Sequence, residues 1–450
     1  METGKAERQD LPRKLQCPYI FPHKPIIFNK KTIFTRCNPF PESIMRQRIS
    51  FSAAVLSALL IFSCKTDVRT DGIPQITKND VISLEGSFYD NFLESWDYIM
   101  LDDENLDGIL GSLYKVLYDD GLYFIESTTA RNSSIKVFDS TGHYLNDICQ
   151  TGRARYEFLY IDEWTIDPYR NQVILLNRNG YYGTITIKRY DYQGHYIGQS
   201  ETQALTDEYH IGQVIKCTSD GSILIENNLG ITPVYEYFYI CPDGTFSAPM
   251  GLNSNHMNLS DNDMELFNDN LVKAGDWCGI SVREASYNVL SDTTVLMPKL
   301  DSHIYSLQSN RYDSIADLSC LPPIPDKKKN NLFYDTFHDG GDLAFIEEYR
   351  DYLRLRYNDR TEYVLDKTTF RMYRMKGDAT RQSIPSYGNN TLYGNDIIYA
   401  VEPYQIRNIL ELIDDNDSEV TYSPDVIELF RKAKDRENPI LIIAHYKLQH

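Results

Sequence analysis

The sequence predicts an all-β fold: a six-bladed β-propeller with a short helical insertion near the C-terminus. Three observations predict it. A strand–turn–strand pattern recurs every 50 or so residues: Asp-x-x-Gly turns end at Gly142 and at Gly194, 52 residues on, and a third copy places Gly244 a further 50 on. A further apolar strand precedes each of these turns. Both ends of the repeating region read as lone strands, which is how a ring closes and hides its sheet edges.

Taken in order, "FYDNFLESWDYIMLDDENLDG" precedes the first unit and reads as a strand entering from the N-terminus. "SIKVFDSTGHYLNDI" and "TIKRYDYQGHYIGQS" are the first two clear copies, with turns at Asp139 to Gly142 and Asp191 to Gly194; "YEYFYICPDGTFSAP" is the third. Asp139, Gly142, Asp191, Gly194 and Gly244 are structural turn residues, because Asp bonds its own backbone and Gly accepts positive φ. Weaker copies begin at Ser302 and Asp351. The preceding strands are "GLYFIES", "NQVILLNR", "GSILIENN", "TTVLMPKL", "GDLAFIEEY" and "NDIIYAVEP". Residues 84–450 hold six such units. "PYQIRNILELIDD" and "SPDVIELFRKAKDRENP", the latter with Ser423 as N-cap and Pro424 at the first helical position, predict two helices forming a cap at about 402–436. "NPILIIAHYKL" is the orphan strand at the end.

Charge is unevenly placed. Residues 1–63 hold ten Lys/Arg against four Asp/Glu, so the −19 of the whole chain leaves −25 on the remainder. A surface that acidic repels phosphate backbones and anionic lipid faces, which excludes a nucleic-acid partner. The 34 tyrosines suit sheet packing first and a ligand-stacking surface second. The eight cysteines contain no C-x-x-C pair, so zinc and thioredoxin-like readings have no support.

The most apolar run, Ile49 to Ser63, follows Arg46 and Arg48 and ends at Cys64. It is shorter than the roughly 20 residues a membrane-spanning helix needs and has the layout of a secretory signal. Ile61-Phe62-Ser63-Cys64 resembles the bacterial lipobox. That resemblance implies acylation of Cys64 and cleavage before it; a plain signal peptide or short anchor is the alternative. Met45 directly before Arg46 predicts that translation starts there, with 1–44 an upstream artefact, 45–64 the signal and 65–83 a tether. The intact mass of the native precursor tests this. The residues after Cys64 loosely resemble the surface-export signal of Bacteroidetes lipoproteins, which leaves the outer surface and the periplasmic face both open.

From Tyr98 to Asn177, "YIMLDDENLDGILGSLYKVLYDDGLYFIES…SIKVFDSTGHYLNDICQTGRARYEFLYIDEWTIDPYRNQVILLN" resembles the six-bladed propeller lipoproteins of Bacteroidetes, NHL-like in shape, and "ENPILII" matches their ending. The resemblance implies the fold and a cell-envelope location, outer membrane included, and no settled activity. Where that family carries a Gly-Pro-Gly-Glu-Tyr-like turn, this chain has Ala154-Arg155-Tyr156-Glu157-Phe158.

No motif names a reaction. There is no G-x-S-x-G, no Gly-rich phosphate loop and no H-E-x-x-H. Asp261 to Glu265 and Asp415 to Glu419 offer oxygen ligands for calcium but lack the glycine of an EF-hand, so no cofactor is expected and both read as solvated loops. Arg153, Arg155, Tyr156 and Glu157 form the candidate ligand loop, since Arg clamps carboxylates and Tyr stacks on sugars; an inter-blade salt bridge is the alternative. The expected role is a non-enzymatic binding module for a glycan, a peptide or an envelope protein, held to the membrane through the N-terminal lipid only. A hydrolase or lyase in the channel, and a scaffold in an outer-membrane complex, are the alternatives.

Overall fold

The structure is a computed structural model. It describes residues 72–447 apart from 129–132, 150, 159, 181–182, 207–208, 228–234, 253–260, 266–281, 287, 289, 299–301, 309–310, 319, 322–342, 358–360, 378–389 and 415–421. The lipobox, the apolar run and the Asp415 to Glu419 loop lie outside the described residues.

The chain is a six-bladed β-propeller. It begins with β1 (Val81–Leu84), α1 (Phe88–Phe92) and β2 (Leu93–Met100). Blade 1 is β3 (Ser112–Asp119), β4 (Leu122–Thr128), β5 (Ser133–Asp139) and β6 (Tyr144–Asp147). Blade 2 is β7 (Glu163–Asp167), β8 (Gln172–Arg178), β9 (Ile185–Asp191) and β10 (Tyr196–Glu201). Blade 3 is β11 (Ile211–Cys217), β12 (Ile223–Asn227), β13 (Tyr235–Ile240) and β14 (Met250–Leu252). Blade 4 is β15 (Val282–Ser286), β16 (Thr294–Pro298), β17 (His303–Gln308) and β18 (Arg311–Asp317). Blade 5 is β19 (Leu343–Glu348), β20 (Tyr352–Tyr357), β21 (Glu362–Asp366) and β22 (Met372–Met375). Blade 6 contains β23 (Asn390–Tyr393), β24 (Asp396–Val401) and β25 (Ile440–Tyr446), and β2 supplies its fourth strand.

That fourth strand closes the ring. β2 runs antiparallel to β25 from Leu93↔Tyr446 to Met100↔Ile440, so the two ends of the fold share one sheet. The N-terminal segment also guards the edges of two other blades. Gln75 bridges to Asp317 at the rim of blade 4, Ile76 is 1% exposed, and β1 pairs in parallel with β22 of blade 5. Covering edge strands in this way prevents pairing with other chains. The stretch read as a tether up to residue 83 is therefore docked on the ring from Pro74 onward.

The turn glycines are fixed twice over. Gly194 sits at φ 83°, and a Cβ there would lie 2.5 Å from the Asp147 carbonyl oxygen at the end of blade 1. Gly142 and Gly244 make the same approach to Met100 and Glu201, so each turn seats against the blade before it. Asp191 holds its turn by accepting from the Gln193 and His195 backbone N–H groups, and Asp139 does the same for Thr141 and His143. Gly194→Ala is expected to cost about 1–3 kcal/mol from backbone conformation alone, plus the clash. A urea-denaturation midpoint equal to that of the parent would contradict this.

In blade 5 "GDLAFIEEY" is the innermost strand, ahead of the strand–turn–strand read from Asp351, which supplies the second and third strands, whereas in blades 1–3 the corresponding copies supply the third and fourth. The outer turn of this blade has no glycine. Asp366 accepts from the Thr368 and Thr369 N–H groups, and Phe370 takes the positive φ of 55°.

The predicted helices form as α2 (Pro403–Asp414) and α3 (Pro424–Ala433), between β24 and β25. Ser423 accepts from the Val426 N–H as N-cap. Ile406, Leu410, Val426 and Phe430 are buried in one cluster with α1 and the sheet of blade 6. Tyr190, Tyr237, Tyr305 and Tyr399 are buried in the core. Cys149, Cys217 and Cys320 are buried free thiols; burial pushes Cys320 up to about 11.

Candidate functional site

The two ends of the ring differ. At the end where the first and second strands of each blade turn, Asn288 ties three blades together. Its Nδ2 donates to the Glu348 and Gly394 carbonyls, and it is 3% exposed. Lys216 of β11 crosses to the Ser291 and Thr293 carbonyls of blade 4. The opposite end opens into a cavity of about 710 Å3 walled by blades 1–3.

Two irregularities shape that wall. β3 shifts register between Leu113 and Lys115, and β11 between Ile211 and Val214. Bulges re-aim side chains, and these two sit where Tyr114, Lys115, Gly212 and Gln213 line the cavity. Four carboxylates line it as well: Glu126 on β4, Asp162 and Glu163 at the start of β7, and Glu226 on β12. Each has a partner. Trp164 Nε1 donates to Glu126 Oε2 at 2.6 Å, and the Arg178 N–H donates to Asp162 Oδ2 at 2.7 Å. Lys115 Nζ donates to the Trp164 carbonyl at 2.7 Å, 3.9 Å from Glu163 Oε2 and 5.6 Å from the centre of the indole ring.

The electrostatics are out of balance. Burial raises Glu126, and the Trp164 indole N–H and then Lys115 only partly offset it. Burial likewise raises Glu163 against the pull of Lys115, and raises Glu226 against a bond from the Gln213 N–H. Lys115 is lowered by burial and lifted back in part by Glu163 and Glu126. Each glutamate thus binds its proton more tightly folded than unfolded. Its contribution to stability is full below the ordinary carboxylate range, near 4.3, and is lost as pH rises through the raised value. Lys115 runs the other way: its contribution is full above about 10.4 and is lost as pH falls through the lowered value. Glu226→Gln is therefore expected to melt above the parent at pH 7, with the gap closing near pH 4. An equal or lower melting temperature at pH 7 would show that Glu226 is not strained.

The loop singled out in sequence lies elsewhere. Glu157 turns inward, its Oε2 accepting from the Ala154 N–H at 2.7 Å, which closes the turn from Ala154 to Glu157. Gly152 permits this, since a Cβ there would meet the Glu157 carboxylate. Arg153, Arg155 and Tyr156 are exposed and do not line the cavity. Asp261 to Glu265 form a helical turn with Asp263 buried. The cavity residues went unread because they come from strands about 100 residues apart. One signal was present: Glu126 and Glu226 hold the same place in the second strands of blades 1 and 3, "YFIES" and "ILIEN".

A family profile described as a 6-bladed beta-propeller matches residues 72–220. This span contains the Tyr98 to Asn177 stretch and ends at the first turn of blade 3. An exported protein of Bacteroides fragilis has a similar fold, with a TM-score of 0.52 at 14% identity, over 82% of this chain and 99% of that one. A Bacteroides vulgatus protein aligns at a TM-score of 0.40 and 10% identity, over 79% and 97%. No curated protein matches the chain.

Proposed function

We propose, on the premise that the chain is a six-bladed β-propeller, that it is a non-enzymatic binding module of the cell envelope that takes its ligand at the open end of the channel. The single observation that carries this is the 710 Å3 cavity of blades 1–3, walled by bulged strands, at the end of the ring opposite the one where Asn288 ties blades 4–6 together. Concave sites with a few converging polar groups are where small ligands and peptide side chains bind. The ligand is a glycan, a peptide or a segment of an envelope protein. Lipidation at Cys64 would hold the ring to the membrane; among the described residues no helix is long and apolar enough to cross one. Attachment through the outer-membrane leaflet follows from the lipobox-like Ile61 to Cys64 and belongs to the same proposal.

The test is a thermal melt of the chain from Lys65 onward, which forms one compact unit, against panels of glycans and peptides and against EDTA. A ligand at a hundred times its Kd adds about 2.7 kcal/mol, a readily measured rise. EDTA is expected to change nothing; a loss of stability would revive a calcium site. Turnover of a glycan or peptide would replace the binding module with a hydrolase or lyase.

A further inference from the structure

We infer that the channel-mouth cavity recognises a primary alkylammonium group, as carried by a lysine side chain or a free polyamine. The inference deepens the binding reading above and rests on it. Three features carry it. The first is the cavity itself, roomy enough for a linear amine and open at its mouth. The second is that the pocket already holds one such group. Lys115 brings its ammonium onto the Trp164 carbonyl, beside Glu163 and toward the indole face. The chain's own lysine thereby displays the kinds of group this wall offers an ammonium: a carbonyl, a carboxylate and an aromatic face, which Lys115 itself holds in the parent chain.

The third is the charge left over. Among the described residues that line the cavity, Glu126, Asp162, Glu163 and Glu226 stand against Lys115, and the charge of Arg178 also favours the ionised form of Glu163. The partners of Glu126, Asp162 and Glu226 are an indole or a backbone N–H, which satisfy one oxygen and cancel no charge. In a low-dielectric concavity an uncompensated carboxylate is costly, and a second ammonium relieves that cost. Tyr114, 60% exposed at the mouth, offers its ring to the methylene stem. A phosphate or carboxylate ligand meets repulsion here, and a neutral sugar would leave the charge uncompensated.

The experiment titrates cadaverine, spermidine and a short lysine-bearing peptide into the chain from Lys65 onward. The same peptide acetylated on its lysines, and a neutral oligosaccharide, serve as controls. Cadaverine or the lysine peptide is expected to bind and to weaken with added salt, while the acetylated peptide does not. Glu226→Gln is expected to weaken amine binding tenfold or more although it melts higher. Lys115→Met, which vacates the resident ammonium's place, is expected to bind cadaverine more tightly. Binding by the free diamine as strong as by the peptide assigns a small amine; binding confined to the peptide assigns a protein segment. Equal binding of the acetylated peptide, or unchanged affinity in Glu226→Gln, overturns the inference. A neutral oligosaccharide that binds where amines do not overturns it while leaving the binding module standing; silence from every probe removes both.

Discussion

Arg354→Ala is expected to destabilise the propeller by about 3–5 kcal/mol, the cost of leaving buried charge unpaired. Arg354 is 1% exposed on β20 and lies between two carboxylates of its own blade. Its Nη1 donates to Glu347 Oε2 at 2.9 Å and its Nη2 to Glu362 Oε1 at 2.6 Å. The guanidinium lies 4.0 Å from the centre of the Phe88 ring on α1, so it also pins the N-terminal helix to blade 5. Alanine removes the cation and leaves two carboxylates in an aromatic core. Replacing all three, as in Arg354→Met with Glu347→Leu and Glu362→Leu, is expected to recover most of the loss, because breaking a buried ion pair costs more than lacking one. Denaturant titration of the single and triple variants checks both statements; a single variant within about 1 kcal/mol of the parent would show the pair to be dispensable.

Truncation before Ile440 is expected to have the larger effect, loss of the folded monomer. β25 is the middle strand between β2 and β24, and it pairs along its length with both. Without it Ile398 and Ala400 lose Ile443 and Leu441, and two apolar strand edges open. Exposed edges of that kind associate. Size-exclusion chromatography is expected to show aggregate in place of monomer. A monomer with an unchanged circular-dichroism spectrum would mean the ring does not depend on the closure between its ends.

Much of the fold was legible because propeller turns need particular chemistry. Gly142, Gly194 and Gly244 are required both by their φ and by the backbone of the preceding blade, so their spacing shows in the sequence. The closing strands were legible as apolar runs with no partner nearby in the chain. The outer turn of blade 5 was not legible because Phe370 does there what glycine does elsewhere. Arg354 was not legible at all: a charge in a strand reads as exposed until its partners on β19 and β21 are in view. The cavity was hidden for a related reason. Lys115, Glu163 and Glu226 meet only through the ring, and the bulges that turn Tyr114 and Gln213 into the channel leave no mark on the strand pattern. In the 151–157 loop the arginines stay exposed while Glu157 is spent on the turn, which composition alone does not show.

The central claim, that ligand is taken at the blade 1–3 end of the channel, is tested most directly by hydrogen exchange of the chain with and without saturating cadaverine or lysine peptide. Slower exchange is expected in Ser112–Thr128, in Ile161–Thr165 and in Ile211–Asn227, the strands that carry the cavity. Protection confined instead to residues 151–158, or to α2 and α3, would place the ligand elsewhere and contradict the account.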